Sequence, residues 1–205
     1  MVTNADFQPT GLNRTEKYFA LVVVILLGYR ITFGVALDFF LLTAITLMAV
    51  FYLWFGFFLF NKAMPLDLVD RHKRSVYTGF RTVSSILMGL VYSVCLIAIL
   101  YAVFFYPRMQ FMLGFSVFLL SASLMLTLVY HWLNRSDKPF LMQYYRRTAI
   151  LGTLILITLI IPVDKRLEIL YDDYPGFVEA YREYRENPDS FEALEKLRGE
   201  RSKFR

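Results

Sequence analysis

Residues 18–60 read YFALVVVILLGYRITFGVALDFFLLTAITLMAVFYLWFGFFLF, and this stretch indicates the class of protein to which the chain belongs. Its charged side chains are those of Arg30 and Asp38. A single helix of this length would measure about 65 Å, roughly twice the ~30 Å hydrocarbon core of a bilayer. The stretch therefore predicts two membrane-spanning helices joined by a turn: 18–36 and 39–60, with the turn near residues 37–39.

The rest of the chain continues this pattern. Of the 205 residues, 57% are hydrophobic and 19% are charged, whereas soluble domains carry about 25% charged residues. Further runs without Asp, Glu, Lys or Arg lie at 82–106, 109–133 and 148–163. The first two have the length of a spanning helix, and the last is short. We therefore predict an all-α fold, a polytopic membrane helical bundle of about five transmembrane helices at 18–163. A short amphipathic helical C-terminal tail follows at 164–205.

Basic residues indicate the orientation of these helices. They concentrate in residues 1–17 and in the loops that share their side of the membrane: Arg14, Lys17, Lys62, Arg71, Lys73, Arg74, Arg81, Arg135, Lys138, Arg146 and Arg147. The opposite loops carry Arg108, with Arg30 nearby. Because Lys and Arg accumulate in cytoplasmic loops, residues 1–17 are predicted to be cytoplasmic and the tail extracytoplasmic. The membrane is expected to be a plasma or inner membrane.

Part of this basic set is expected to contact lipid. The expected contacts with anionic headgroups come from Arg71, Lys73, Arg74, Arg81, Arg146 and Arg147. Such residues contribute about 1 kcal/mol each near an anionic membrane surface. No nucleic-acid partner is predicted, because that would require a basic stripe outside the membrane.

Two further features concern contacts between helices. Arg30 is close enough in sequence to Asp38 either to pair with it or to extend towards the membrane surface. A sharper interpretation makes Arg30 a residue that binds a partner or an anionic substrate. Small residues offer faces for close packing, within the chain or between chains: Gly89 with Ser93, and Ser121 with Ala122 and Ser123.

The tail has the pattern of two short helices. The first is predicted to be capped by Asp173, with Pro175 early in the helix and one apolar face: Phe177, Ala180, Tyr181 and Tyr184. The second is predicted to be capped by Asp189 or Ser190, with Phe191, Leu194 and Leu197 facing inward. This pair either packs on the bundle or lies at the membrane surface. Alternatively, it docks a partner through Phe177, Tyr181, Tyr184, Phe191, Leu194 and Leu197.

Residues that could support catalysis are sparse. The histidines are His72 and His131, and the cysteine is Cys95. A haem or metal bound by the two histidines is conceivable, but the sequence has no further ligand spacing to support it. The segment 67–74 holds two aspartates and could bind a divalent ion, but it lacks the further acidic residues and glycine-rich framework of phospholipid enzymes. No cofactor and no metal are therefore predicted.

These observations favour a non-enzymatic integral membrane scaffold, anchor or accessory subunit of a larger membrane complex. Its expected partners are the lipid bilayer and other membrane protein subunits or copies of itself. One alternative is a small oligomeric transporter or channel, with a pathway near Arg30, Asp38 and the hydroxyl groups of the third and fourth spans. A second alternative is a lipid-modifying membrane enzyme that uses residues 67–74.

Overall fold

The computed structural model describes residues 11–61, 63, 79–133 and 138–203, and in these ranges the chain is helical with no strand. The elements are α1 Gly11–Phe33, a 3-10 turn Gly34–Leu37, α2 Asp38–Asn61, α3 Gly79–Val103, α4 Met109–Leu133, α5 Lys138–Ile160, α6 Val163–Tyr171, α7 Pro175–Glu186 and α8 Phe191–Ser202. The predicted all-α fold class is confirmed.

The first two helices fold back on each other. The rings of Phe19 in α1 and Phe51 in α2 lie 5.7 Å apart, and the Tyr52 hydroxyl donates a hydrogen bond to Glu16. The reversal is made by the 3-10 turn, where Gly34 has a φ of 73°, an angle that glycine adopts without steric cost. The fold-back predicted from the length of residues 18–60 is therefore confirmed, with the turn a few residues earlier than expected.

Several helices are suited to a membrane. By length and composition, three helical segments of the described chain could cross one: Gly11–Asn61, Gly79–Val103 and Met109–Trp132. The first of these is the segment that the 3-10 turn folds back. A fourth is added if Phe140–Ile160 and Val163–Tyr171, which bend by 96° at their junction, count as one span. These helices indicate a membrane-embedded protein, and the predicted number of five spans is approximate.

The fifth predicted span has different bounds in the structure. The helix begins at Lys138 rather than at 148 and ends at Ile160. Its added first turns are apolar on one side, where Phe140, Leu141 and Tyr144 are buried in the core of the bundle. This burial explains why the helix includes Arg146 and Arg147, which the sequence pattern assigns to a loop.

The backbones of α2 and α3 are in close contact at a pair of glycines. A Cβ atom added to Gly56 would lie 2.7 Å from the Cα of Gly89, and one added to Gly89 would lie 2.6 Å from the carbonyl oxygen of Tyr52. Neither distance is compatible with a side chain. The crossing therefore depends on glycine at both positions, as expected where helices associate through small residues.

Helices α6, α7 and α8 form a second small core, here called the cap, over the end of the bundle where α3 joins α4. Its buried side chains include Phe105, Met109, Leu167, Tyr171, Phe177, Ala180, Tyr181, Tyr184, Ala193 and Leu197. The predicted apolar face of α7 is thus confirmed, and it faces this core. The opposite end of the bundle, which carries Glu16, Asn61 and Arg147, is called the far end.

Other expectations for the tail need correction. The N-cap residue of α7 is Tyr174, whose side chain makes no capping hydrogen bond. The prediction that Asp173 is the N-cap residue is therefore wrong. Ser190 does cap α8, because its hydroxyl accepts a hydrogen bond from the backbone N–H of Ala193 at 3.3 Å. Phe191 was expected to face inward but is 73% exposed, whereas Leu197 is fully buried. Helix α6 was not predicted, because its sequence mixes polar and apolar residues and its buried residues include an arginine, Arg166.

Candidate functional sites

A buried polar network closes the far end of the bundle. The Nε and Nη2 atoms of Arg147 each donate to a carboxylate oxygen of Glu16 at 2.6 Å. Its Nη1 atom donates to Gln143 at 2.8 Å, and Nη2 also donates to Asn13 at 3.0 Å. Arg147 is 8% exposed, so two opposite charges are held away from water in a bidentate pair, the strongest common geometry for such groups. We call Asn13, Glu16, Tyr52, Gln143 and Arg147 the far-end network.

The far-end network corrects one expectation and extends the fold. Arg147 was predicted to contact lipid headgroups, but it is buried against Glu16 and lies 5.1 Å from the centre of the Phe60 ring. Because the Tyr52 hydroxyl also donates to Glu16, one carboxylate connects α1, α2 and α5. Sequence reasoning did not find Glu16, which looked like an ordinary surface acid before the first apolar run.

The remaining residues of the predicted lipid-contact set have different positions. Arg146 is exposed. Arg81 is half-buried, with its guanidinium carbon 5.3 Å from the centre of the Phe140 ring. Arg71, Lys73 and Arg74 lie outside the described residues, as do His72 and the rest of the segment 67–74.

The second histidine, His131, contacts a tyrosine. The Nδ1 atom of His131 lies 3.1 Å from the Tyr145 hydroxyl, with which it can form a hydrogen bond. No group of three or more His, Cys, Asp or Glu residues that could hold a metal ion occurs in the described part of the chain.

Paired hydroxyl groups lie beside the far-end network. The Tyr92 hydroxyl lies 2.6 Å from that of Thr148, and the Tyr144 hydroxyl lies 3.0 Å from that of Ser123. The Asn61 amide donates to Ser85 at 2.8 Å. Each contact joins two different helices, so these polar groups hold the bundle together.

The ion pair considered from the sequence is present where the cap meets the bundle. Arg30 is 2% exposed, and its Nη1 atom donates to the Asp38 carboxylate. The guanidinium carbon lies 4.6 Å from the centre of the Phe104 ring and 5.1 Å from that of Tyr171. Of the two predicted arrangements, pairing with Asp38 is the one that the structure shows.

Two further arginines, which sequence reasoning missed, lie at the same place. Arg201 of α8 donates to the backbone carbonyls of Phe104 and Phe105 at 3.2 and 2.9 Å. Arg166 of α6 is 9% exposed, and its guanidinium carbon lies 5.6 Å from the centre of the Phe105 ring. We call Arg30, Asp38, Arg166 and Arg201 the cap junction. In the sequence, Arg166 and Arg201 looked like solvated residues of a charged tail.

A groove opens on the side of the bundle between α4 and α5. Its volume is about 310 Å³, and its lining is mostly apolar: Val117, Leu120, Ser121, Leu124, Thr148, Ala149, Gly152, Thr153, Ile155 and Leu156. Ser121, predicted to be part of a packing face, lies on its wall. The small residues of α5 leave the groove open, because their side chains do not fill it. Such small residues are typical of surfaces where membrane helices pack.

The buried tyrosines of the cap predict a dependence on pH. Burial raises the pKa of Tyr181 to about 12, above the value of about 10 for an exposed tyrosine. The neutral side chain therefore stabilises the folded cap fully below pH ~10, and this contribution is lost as the pH rises towards 12. Thermal unfolding in detergent should show the wild type losing stability relative to Tyr181→Phe by about 2 kcal/mol between pH 9 and 12. A constant difference across that range would contradict the prediction.

Comparison of the chain with protein family models, with curated proteins and with solved structures gave no match.

Proposed function

We propose that this chain is a non-enzymatic scaffold or accessory subunit of a larger membrane complex, and that the cap holds the partner protein. The observation that carries this proposal is the attachment of the cap to the bundle. Arg201 binds two backbone carbonyls of the α3–α4 connection, and Arg30 contacts the ring of Tyr171 in α6. A cap anchored by buried contacts presents its outer face in one orientation, which a docking surface requires.

The use of polar groups inside the bundle supports a structural role over transport. Ionisable groups on a transport pathway face a water-filled cavity. Here the far-end network bonds its charges to each other, and the hydroxyl groups of Tyr92 and Tyr144 bond to neighbouring helices. These contacts stabilise one arrangement of helices.

The proposed docking surface differs from the one suggested by the sequence. Phe177, Tyr181 and Leu197 are buried within the cap, so they are not available to a partner. Phe191 is a large aromatic side chain, 73% exposed at the start of α8, beside the exposed acid Glu192. Exposed aromatic residues often anchor protein interfaces. We therefore place Phe191 at the centre of the contact.

The groove between α4 and α5 provides a second surface for the same complex. Ala149, Gly152 and Thr153 lie along one side of α5 and line the groove. Small residues allow the backbones of membrane helices to approach. A transmembrane helix of the partner is the proposed occupant, since a partner held by the cap would bring such a helix beside the bundle.

The proposed orientation follows the basic residues. Residues 1–17 and the far end are proposed to face the cytoplasm, and the cap the opposite side of a plasma or inner membrane. The bias of Lys and Arg towards the far-end loops supports this orientation.

Photo-crosslinking tests the proposal. Phe191 is replaced by benzoylphenylalanine in the full chain, which is expressed in its own membrane and irradiated. We expect one covalent adduct with a different protein, because the ring of residue 191 is exposed on the docking face. The matched control carries the same group at Asp172, which is exposed and adjacent to Asp173, a residue beside the turn at Gly34. Equal labelling from both positions would argue against a specific contact at Phe191.

A further inference from the structure

Arg166 is buried without a counter-charge. Its Nε and Nη1 atoms are inaccessible to solvent and have no hydrogen-bond acceptor among the described residues. The acids of its own helix are engaged elsewhere, since Asp164 pairs with Arg185 at 3.0 Å and Glu168 pairs with Arg182 at 3.0 Å. The described structure therefore leaves this guanidinium with the ring of Phe105 as its main polarisable neighbour.

Such an arrangement is unfavourable unless an anion completes it. A buried ion without a partner incurs a desolvation penalty of several kcal/mol, whereas a cation–π contact returns about 0.5–2 kcal/mol. The cation–π contact therefore does not offset the desolvation penalty. From this difference we infer that Arg166 has an anionic ligand in the membrane.

The rest of the cap junction has the same excess of positive charge. Arg30 pairs with Asp38, yet its Nε and Nη2 atoms are also buried without a hydrogen-bond acceptor in the described chain. Arg201 approaches the same α3–α4 connection from α8. Three guanidinium groups thus surround residues 104–106, and one carboxylate lies with them. Of these groups, Arg30 and Arg166 are the two whose buried nitrogens have no acceptor in the described chain. Phosphate groups, with their several acceptor oxygens, pair well with arginine.

The position of Arg166 identifies the source of the phosphate. Helix α5 ends at Ile160, whose side chain is 76% exposed, and the following helix α6 turns away by 96°. Ile169 on α6 is also 57% exposed. Arg166 therefore belongs to a helix that runs across the end of the bundle, with an exposed isoleucine before it and another after it in the chain. Headgroups occupy this depth in a bilayer, with their acyl chains beside the isoleucines.

We propose that the cap junction binds the phosphate group of an anionic phospholipid, with Arg166 as its principal contact. The lipid would neutralise the buried guanidinium and fix α6 on the membrane surface. This site is separate from the docking face at Phe191, and it does not depend on the identity of any partner.

Stabilisation by lipid tests this site. The purified full chain in neutral detergent is heated with added phosphatidylglycerol, phosphatidylcholine or inorganic phosphate. We expect phosphatidylglycerol to raise the unfolding midpoint of the wild type by about 4 °C or more, and phosphatidylcholine to raise it less because its choline group is repelled. Arg166→Gln should lose this shift and Arg166→Lys should restore part of it. The matched control Arg182→Gln, an exposed arginine of the cap, should keep it.

Three results would overturn the proposal. The first is a full shift with phosphatidylglycerol in Arg166→Gln, which would place the lipid elsewhere. The second is a shift with inorganic phosphate and none with phosphatidylglycerol, which would exclude a lipid headgroup as the source of the phosphate. The third comes from the wild type, and it applies even if Arg166→Gln does not fold. A photoactivatable phosphatidylglycerol should label residues 163–171, and labelling confined to other helices would contradict the site.

Discussion

Replacing Arg147 with leucine is expected to destabilise the chain by about 3–5 kcal/mol, because it leaves the Glu16 carboxylate buried without its partner. The two residues are 131 positions apart in sequence, and their contact joins the first and last helices of the bundle. Thermal unfolding of the purified protein in detergent measures the loss. Size-exclusion chromatography of the same samples should show a smaller folded fraction for the variant.

Two further variants isolate the ion pair. Arg146→Leu is the matched control, since Arg146 is the exposed neighbour of Arg147, and it should change stability by less than about 0.5 kcal/mol. The double variant Glu16→Leu with Arg147→Leu should recover much of the stability, because an apolar pair avoids the cost of one isolated charge. An Arg147→Leu variant as stable as Arg146→Leu would show that the far-end network does not hold the helices together.

Replacing Gly89 with alanine is expected to destabilise the bundle by about 3 kcal/mol, the upper end of the usual cost of overpacking. The added methyl group would lie 2.6 Å from the Tyr52 carbonyl oxygen and 2.9 Å from the Cα of Gly56. Both atoms belong to the backbone of α2, so the helix itself must move. The loss is measured by thermal unfolding in detergent.

The control for this variant has an effect of opposite sign. Gly114 lies in α4 with nothing within 4 Å of an added Cβ atom. Gly114→Ala should therefore stabilise the chain slightly, by about 0.5–1 kcal/mol, because alanine loses less conformational entropy in a helix. If both alanine variants stabilised the protein, α2 and α3 would not cross at Gly56 and Gly89.

The sequence predicts the features that depend on local pattern and on bilayer thickness. The length of residues 18–60 requires a fold-back, and the spacing of Phe177, Ala180, Tyr181 and Tyr184 predicts the buried face of α7. The sequence also limits the N-cap residue of α8 to Asp189 or Ser190, and the structure shows Ser190. Each of these depends on residues near one another in the chain.

The features that the sequence did not predict depend on distant residues. The partner of Arg147 is Glu16, and no local spacing connects them. Phe191 has the spacing of an inward residue, but α8 packs through Ala193 and Leu197, which turns Phe191 outward. Arg166 follows the bend after Ile160, so its burial depends on how α6 returns over the α3–α4 connection. Tertiary packing overrides local pattern in each case.

The two ends of the bundle have complementary roles in the proposed function. The far-end network fixes α1, α2 and α5 with an internal ion pair, and the cap junction fixes the cap to the other end through arginines on aromatic rings. Because contacts at both ends fix the helices, the bundle can hold the cap in one orientation for a partner. The proposed docking face and lipid site both lie at the capped end.

The photo-crosslink at position 191, followed by mass spectrometry of the adduct, is the measurement on which the proposed role depends. A cap that holds a partner should yield one adduct whose added mass matches a single different membrane protein, and the crosslink should be absent from the Asp172 control. A residue 191 that labels copies of this chain alone, or labels nothing in its native membrane, would contradict the role of the cap as a docking surface.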